Sequence, residues 1–174
     1  MAEMMKEVVV VEPHKYEVRE VEIPELANED EVLIQMKSAG VCGSDHHIWH
    51  GSNPCSTYPR IPGHENAGVI AKIGKNVKNV KVGDHVIVDP YLYCGHCYPC
   101  RHGKYNLCEE LKVMGFQTTG TASEYFAVDA SKVTPIPEEM SYEEGAMIEP
   151  LAVAVHAVKQ MGDVKGMNIT VIGA

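Results

Sequence analysis

The feature that most constrains this chain is a group of four cysteines within fifteen residues, Cys94, Cys97, Cys100 and Cys108. Their spacing is C-x2-C-x2-C-x7-C. Thiolates that are two residues apart can bend around one ion, and a fourth thiolate closes the tetrahedron that zinc prefers. Four protein ligands leave no position for a substrate. The array therefore predicts a structural zinc site, around which this part of the chain folds.

Two other interpretations of the cysteine array stay open. An iron–sulfur cluster also uses C-x2-C-x2-C, usually with a fourth cysteine three residues further on and a proline after it. Here the last gap is seven residues and Glu109 follows Cys108. The third interpretation is a set of reduced, buried thiols without a metal. The spacing favours zinc over both.

Composition restricts the class of protein and its partners. Of the 174 residues, 45% are apolar and 22% are charged, which is typical of globular domains. The formal charge of −9 repels phosphate backbones and anionic membranes, so neither is expected as a partner. The chain has no apolar run of membrane-helix length and no signal peptide at its start. These features predict a cytoplasmic protein whose cysteines are reduced rather than disulfide-bonded.

Short runs rich in β-forming residues fill the first two thirds of the chain. Many short strands at close spacing predict a closed or strongly curved antiparallel sheet. A short helix is expected over 44–50, with Ser44 or Asp45 as its N-cap. The predicted strands are 7–11, 16–23, 31–37, 67–73, 85–88 and 123–128.

The last third of the chain has a different pattern. Ser141 and Glu144 form a capping-box signature, so a helix is expected to begin there and to run to Val158 with a break at Pro150. The residues 167–172 read as a strand that is buried on both faces. Such a strand at this place is either an ordinary last strand or the start of a strand–turn–helix unit.

A second group of metal-ligating residues lies in two glycine-containing segments about twenty residues apart. Cys42 lies in the first, and His64 and Glu65 lie in the second. A thiolate, an imidazole and a carboxylate form an incomplete shell, which is typical of a catalytic zinc with one exchangeable position. The alternative is a buried cysteine and a chance Gly-His-Glu. Glu149, inside an apolar run, either points outward at Pro150 or is buried and needs a cation.

These motifs together resemble the zinc-containing medium-chain alcohol dehydrogenases, most closely the polyol (sorbitol-like) and threonine dehydrogenase branch. The resemblance runs in order along nearly the whole chain. The matching segments are Gly-Val-Cys-Gly-Ser-Asp-His-His (40–47), Pro-Gly-His-Glu-Asn-Ala-Gly (62–68), Val-Gly-Asp-His-Val (82–86), the four-cysteine segment (94–108), Ser-Glu-Tyr (123–125), Glu-Pro-Leu (149–151) and Val-Ile-Gly-Ala (171–174).

The resemblance implies a mainly β fold with short helices. Residues 1–150 would form a GroES-like β-barrel catalytic domain, with a structural zinc lobe over 90–112. Residues 151–174 would form the first helix and strand of a truncated Rossmann domain that binds a dinucleotide. Gly173 would begin its glycine-rich loop, and so is assigned to cofactor binding.

The resemblance also implies two zinc ions per chain. Cys42 and His64 would bind the catalytic zinc, Glu65 would be a ligand that exchanges with water, and Glu149 would be a third ligand or would hold the zinc water. Which of the two acids binds directly is left open. The structural zinc would be held by the four cysteines 94, 97, 100 and 108.

The activity implied for the full-length parent is hydride transfer from a secondary alcohol, a polyol or sugar derivative, to NAD or NADP. Ser44 and His47 would relay the released proton to solvent, although Ser44 could be only an N-cap and His47 only a surface residue. The parent would be a homo-oligomer, a dimer or a tetramer. The 174-residue chain alone is expected to hold both zinc ions without turning over alcohol.

Other functions compete with this one. A threonine dehydrogenase is the alternative within the enzyme class. A non-catalytic, zinc-stabilised module is the alternative outside it, and an iron–sulfur electron carrier is a third. No role is assigned to His46, His50 or Cys55.

Overall fold

The computed structural model describes residues 2–172, and its regular structure is mainly β. The strands are β1 (Met4–Glu12), β2 (Lys15–Glu22), β3 (Glu31–Ala39), β4 (Asn66–Ile73), β5 (His85–Val88), β6 (Tyr91–Leu92), β7 (Lys112–Val113), β8 (Tyr125–Asp129) and β9 (Val133–Pro135). The α-helices are α1 (Gly43–Trp49), α2 (Tyr98–Arg101), α3 (Tyr142–Ala146) and α4 (Ile148–Gln160).

Five strands form one antiparallel sheet in the order β8-β3-β4-β5-β9. Strand β3 lies between β8 and β4, and in it Val32 and Ile34 are fully buried and Leu33 between them is 7% exposed. The sequence predicts a half-buried strand here, with one apolar face. The second face is buried as well, because α3 packs on β3 and β4.

The antiparallel sheet is open rather than closed, since β8 and β9 are its edges among the described residues. Strands β1 and β2 form a separate hairpin. The bridge between Glu7 and Ser123 joins this hairpin to the segment before β8, and the bridge between Val10 and Arg60 joins it to the segment before β4. His14 lies at the tip of this hairpin, with a φ of 64°.

The hydrophobic core lies within the five-stranded sheet and the loops that cover it. Gly145 allows α3 to approach the sheet, because a Cβ at this position would lie 2.9 Å from the Cβ of Ala67. The buried apolar residues of this core are Val32, Ile34, Ile70, Val77, Val80, Val86, Val88, Met114, Phe126, Val128, Ala130 and Val133.

The six strands predicted between residues 7 and 128 are all found, with bounds that differ by at most three residues. The predicted helix over 44–50 is also found, but its N-cap is Cys42 and not Ser44 or Asp45. The reason is that Asp45, three residues into the helix, accepts a hydrogen bond from the Cys42 N–H at 2.9 Å.

The helix predicted from Ser141 to Val158 is two helices. The capping box is confirmed, because Ser141 Oγ accepts from Glu144 N and Glu144 accepts from Ser141 N. The break lies at Met147 rather than at Pro150, which is in the first turn of α4. Proline is tolerated there because the first turn of a helix needs no donor from its backbone nitrogen.

The strand predicted over 167–172 is not formed, and these residues are exposed and irregular. A strand needs a neighbour for its N–H and C=O groups, and the described part of the chain pairs none with this segment. The predicted domain boundary at residue 150 falls inside α4. Gly173 lies outside the described residues.

Within residues 2–172, the longest helices are too short or too polar to cross a lipid bilayer.

Candidate metal centres

The pairing of β3 with β4 brings Cys42, His64 and Glu65 together. Ala39, the last residue of β3, is paired with Asn66, the first residue of β4. The chain beyond Ala39 and the chain before Asn66 therefore lie side by side, and the N–H of Gly40 donates to the carbonyl of Glu65 at 2.8 Å. Cys42 follows two residues later, so this register places it beside His64 and Glu65.

One ligand atom from each of Cys42, His64 and Glu65 lies within 4.8 Å of the others. His64 and Glu65 are buried and Cys42 is partly buried. A side chain on Gly40 would collide with the carboxylate of Glu65, so the glycine makes room for this acid. A buried carboxylate next to a thiol and an imidazole is costly unless a cation compensates it. The donor set and its burial therefore fit zinc.

Asp45 is a residue of this site that the sequence predicted only as a possible cap. One of its carboxylate oxygens accepts from Cys42 N at 2.9 Å, and the other accepts from Gly63 N at 3.2 Å. The second oxygen also lies 4.0 Å from His64 Nδ1. Asp45 thus ties together the two segments that carry the ligands. The signal in the sequence was an acid three residues after the cysteine, which is also a common capping residue.

Two further residues support His64. The ring of Phe116 packs edge-on against the imidazole, with 5.1 Å between the ring centroids. The buried side chain of Asn66 donates to the carbonyl of His64 at 3.0 Å and accepts from Val88 N at 3.1 Å. Spacing gave no reason to select Phe116, because it lies fifty-two residues beyond His64 in the sequence.

The predicted relay residues lie on α1. The hydroxyl oxygen of Ser44 is buried, and no described residue hydrogen-bonds to it. His47 is exposed, and its Nδ1 lies 3.1 Å from Ser52 Oγ. A buried hydroxyl and an exposed imidazole on one short helix fit the inner and outer ends of a proton path. No hydrogen bond between Ser44 and His47 is formed in the described structure.

Glu149 lies in the first turn of α4 and is half-buried. Burial raises the pKa of its carboxyl group, the nearby His64 opposes this rise, and the carboxylates of Glu65 and Asp89 add to it. The charges of His64 and Glu65 act on this carboxyl group, so Glu149 lies near the three-ligand group. Glu149 and Asp89 both line a cavity of about 450 Å³. Its oxygens do not belong to the group of described ligand atoms within 4.8 Å.

The four cysteines of the array also come together. Their sulfur atoms all lie within 4.8 Å of one another, and the distances Cys94–Cys100 and Cys97–Cys108 are both 4.0 Å. Four sulfurs at about 2.3 Å from a zinc ion would be about 3.8 Å apart. The sulfur separations therefore fit one tetrahedral ion and exclude disulfide bonds.

Backbone geometry builds this lobe around the sulfur atoms. Strands β6 and β7 pair at its base, so they bring the two ends of the cysteine segment together. The backbone N–H groups of Cys94 and Glu110 both donate to Cys108 Sγ at 3.3 Å. The Cys97 N–H donates to Cys94 Sγ at 3.4 Å. The lobe's buried cluster consists of the cysteines, with Leu111 packed against them.

Charge also favours a cation in the lobe. The backbone N–H groups of Glu109 and Cys100 lower the pKa of the Cys97 thiol to about 6. Burial raises the pKa of Cys100 to about 12, and it also raises the pKa of Cys94. Without a positive ion, adjacent buried thiols cannot all lose their protons. A divalent cation would remove this conflict.

The family model for the alcohol dehydrogenase GroES-like domain matches residues 28–138 of this chain. An uncharacterized zinc-type alcohol dehydrogenase-like protein of Haemophilus influenzae is 42% identical over 175 residues, covering 100% of this chain and 51% of that protein. D-xylulose reductase A of Aspergillus oryzae is 41% identical over 168 residues, covering 92% of this chain and 46% of that protein. The chain thus spans about half the length of these relatives.

A solved structure shows the same fold. The alcohol dehydrogenase RspB from Escherichia coli CFT073, complexed with NADH, superposes with a TM-score of 0.83 at 42% identity. The superposition covers 90% of this chain and 45% of that one. The family match, the relatives and the fold agree on one conclusion. The chain belongs to the zinc-containing medium-chain alcohol dehydrogenase family, and it contains the GroES-like domain of that family.

Proposed function

We propose that this chain forms the zinc-binding, catalytic part of a dehydrogenase that oxidises a secondary alcohol, a polyol or sugar derivative, with NAD or NADP. The convergence of Cys42, His64 and Glu65 within 4.8 Å carries this proposal. Three ligands leave a coordination position for an alcohol oxygen. The 41% identity to a D-xylulose reductase supports a polyol over a simple alcohol.

Zinc, when bound, supplies a Lewis acid that lowers the pKa of an oxygen ligand, as it lowers that of water from about 15.7 to about 7. Cys42, His64 and Glu65 would hold the ion, and Asp45 would orient the two segments that carry them. Glu149 would lie outside the ligands, facing the alcohol or a water molecule. Its raised pKa reflects its burial beside other carboxylates.

The proton that the alcohol loses would leave through α1. Ser44 is two residues from Cys42, and its buried hydroxyl would accept the proton while donating its own. His47, exposed and held by Ser52, would pass a proton to solvent. The substrate, the cofactor or a water molecule would carry the proton from Ser44 to His47, because these two side chains do not hydrogen-bond to each other.

The four cysteines 94, 97, 100 and 108 would hold a second, structural zinc. We propose the boundary between the catalytic and dinucleotide-binding domains at residue 150, with Gly173 at the start of the phosphate-binding loop. NAD or NADP would then bind the full-length parent, in a cytoplasmic homo-oligomer. The inactivity expected of the 174-residue chain by itself stays a prediction, tested by assaying it with both dinucleotides.

The experiment that tests this function uses the full-length protein that contains this chain. Its zinc content is measured, and it is assayed with polyols, threonine and simple alcohols, each with NAD and NADP. We expect two zinc ions per chain and oxidation of a polyol. One zinc per chain with no oxidation would instead indicate a zinc-stabilised module, and preference for threonine would indicate a threonine dehydrogenase.

Asp45→Ala should weaken zinc binding at Cys42 and His64 by roughly 10- to 100-fold, because it removes the acceptor that joins the two ligand segments. Asp45→Asn keeps an oxygen acceptor, so it should recover part of the affinity. Competition with a chelator measures both. Asp129→Ala is the matched control, since Asp129 also caps a short helix, the 3-10 helix Ala130–Lys132. Asp129 is paired with Glu31, at the opposite end of β3 from this site. Equal zinc affinity in all three variants would contradict the assigned role.

His47→Gln should lower kcat by roughly tenfold, less than the 10²–10⁴ of a direct acid or base, because solvent water can replace an outer relay group. Added imidazole should restore part of the lost rate, while zinc content stays unchanged. His102→Gln, another exposed histidine, should change neither quantity. A loss of rate that imidazole does not restore would mean that His47 has a structural role only.

A further inference from the structure

Three exposed imidazoles outside the sites described above lie where the tip of the β1–β2 hairpin meets the end of α1. The ring centroids of His14 and His50 are 4.9 Å apart, and those of His46 and His50 are 4.1 Å apart. We propose that His14, His46 and His50 form a surface site for one divalent transition-metal ion. This site is independent of the proposed dehydrogenase function.

The backbone fixes the relative position of the two elements that carry these histidines. The N–H of His14 donates to the carbonyl of Trp49 at 2.8 Å, so the hairpin tip is hydrogen-bonded to the last residue of α1. The ring of His14 also packs edge-on against Trp49, at 5.7 Å between centroids. The ligand nitrogens of the three rings do not all lie within 4.8 Å of one another, so the exposed side chains must rotate to reach one ion, while the backbone of the two elements can stay in place.

The chemistry of the donors suits a metal ion. His50 Nδ1 lies 2.9 Å from the carbonyl oxygen of His46. A carbonyl oxygen only accepts, so Nδ1 carries the proton and Nε2 of the neutral ring keeps its lone pair for an ion. A backbone carbonyl bonded to the other ring nitrogen is the usual support for a histidine ligand.

The spacing in the sequence agrees with this geometry. His46 and His50 are four residues apart, which places two imidazoles on one side of a helical turn, as in known zinc-binding helices. His14 adds a third from another element. Imidazole nitrogens favour zinc, nickel and copper over calcium or magnesium. The neighbouring cation, Lys15, is paired with Glu12 at 3.2 Å.

Ni²⁺ tests the proposal, because it binds imidazole without oxidising the free thiols. Zinc-replete protein is titrated with Ni²⁺ by calorimetry. We expect one ion to bind per chain at this site, and we expect His14→Gln and His50→Gln each to weaken its binding by at least about tenfold. An unchanged affinity in either variant would overturn the three-histidine site.

His102→Gln is the matched control. His102 is exposed, and its Nδ1 also lies against the carbonyl four residues earlier, at 2.7 Å from Tyr98. The aromatic ring packed against it is that of Tyr98, so His102 offers one imidazole rather than three. Its substitution should change the Ni²⁺ affinity by less than twofold. A loss equal to that of His50→Gln would mean that Ni²⁺ binds exposed histidines without selection.

The location of the ion is measured separately. Paramagnetic Ni²⁺ should broaden the amide signals of residues 13–16 and 46–52 before others. It should also raise the melting temperature, because it links the hairpin to α1, and this rise should vanish in His14→Gln. Broadening centred elsewhere, or a melting temperature that Ni²⁺ leaves unchanged, would overturn the proposal.

Discussion

Cys100→Ser should release one of two zinc ions per chain and unfold the lobe between Cys94 and Leu111. Zinc contributes about 10–16 kcal/mol of binding free energy in small zinc-folded peptides, comparable with the whole stability of an ordinary domain, about 5–15 kcal/mol. The buried cluster of this lobe consists of cysteines with Leu111 against them. Too little apolar area is buried there to replace the metal.

Zinc analysis and limited proteolysis measure this effect. Cleavage is expected within 94–111, while the five-stranded sheet, whose apolar core is separate, stays resistant. Cys55→Ser is the matched control, because it makes the same change at an exposed cysteine outside both clusters. A Cys100→Ser protein that keeps both zinc ions, or a Cys55→Ser protein that loses one, would contradict the assignment.

Cys42→Ser should abolish alcohol oxidation by the full-length protein, with a loss of roughly 10³-fold or more. The Lewis acid is worth several kcal/mol in the transition state, and each 1.36 kcal/mol is about tenfold in rate. The variant should also lose one zinc ion. Serine is a good helix N-cap, so α1 should remain folded and the effect should not come from unfolding.

This second substitution separates the two zinc sites. Resistance to proteolysis within 94–111 should be unchanged in Cys42→Ser, whereas it is lost in Cys100→Ser. Cys55→Ser again serves as the control and should keep full activity and both ions. Full activity in Cys42→Ser would mean that the proposed catalytic site is wrong, even if the four-cysteine site holds its zinc.

The local features of this protein could be predicted because residues a few positions apart constrain the same short piece of backbone. The four-cysteine array predicts one clustered site, and its sulfur atoms are within 4.8 Å of one another. The capping box at Ser141 is present because it depends on residues three positions apart, and the six strands lie where the short β-forming runs predict them. The family membership also followed from motifs in order, and the comparisons confirm it.

Long-range features needed the tertiary structure. The resemblance implied that Cys42, His64 and Glu65 share one zinc, and the register of β3 against β4 gives the physical reason why they lie side by side. The roles of Asp45 and Phe116, and the place of Glu149 outside the three-ligand group, depend on packing between distant segments.

Two of the incorrect predictions of local structure concern the last third of the chain. Sequence hydrophobicity favours a strand over 167–172, but a strand forms only where a neighbour accepts its hydrogen bonds. The helix break was predicted at Pro150 and lies at Met147. Proline destabilises a helix interior but not the first turn, and Pro150 lies in the first turn of α4. The sequence by itself thus determined the local elements, the structural-zinc spacing and the family. The tertiary structure decided which distant side chains meet, because hydrogen-bond register and packing, rather than spacing along the chain, set those distances.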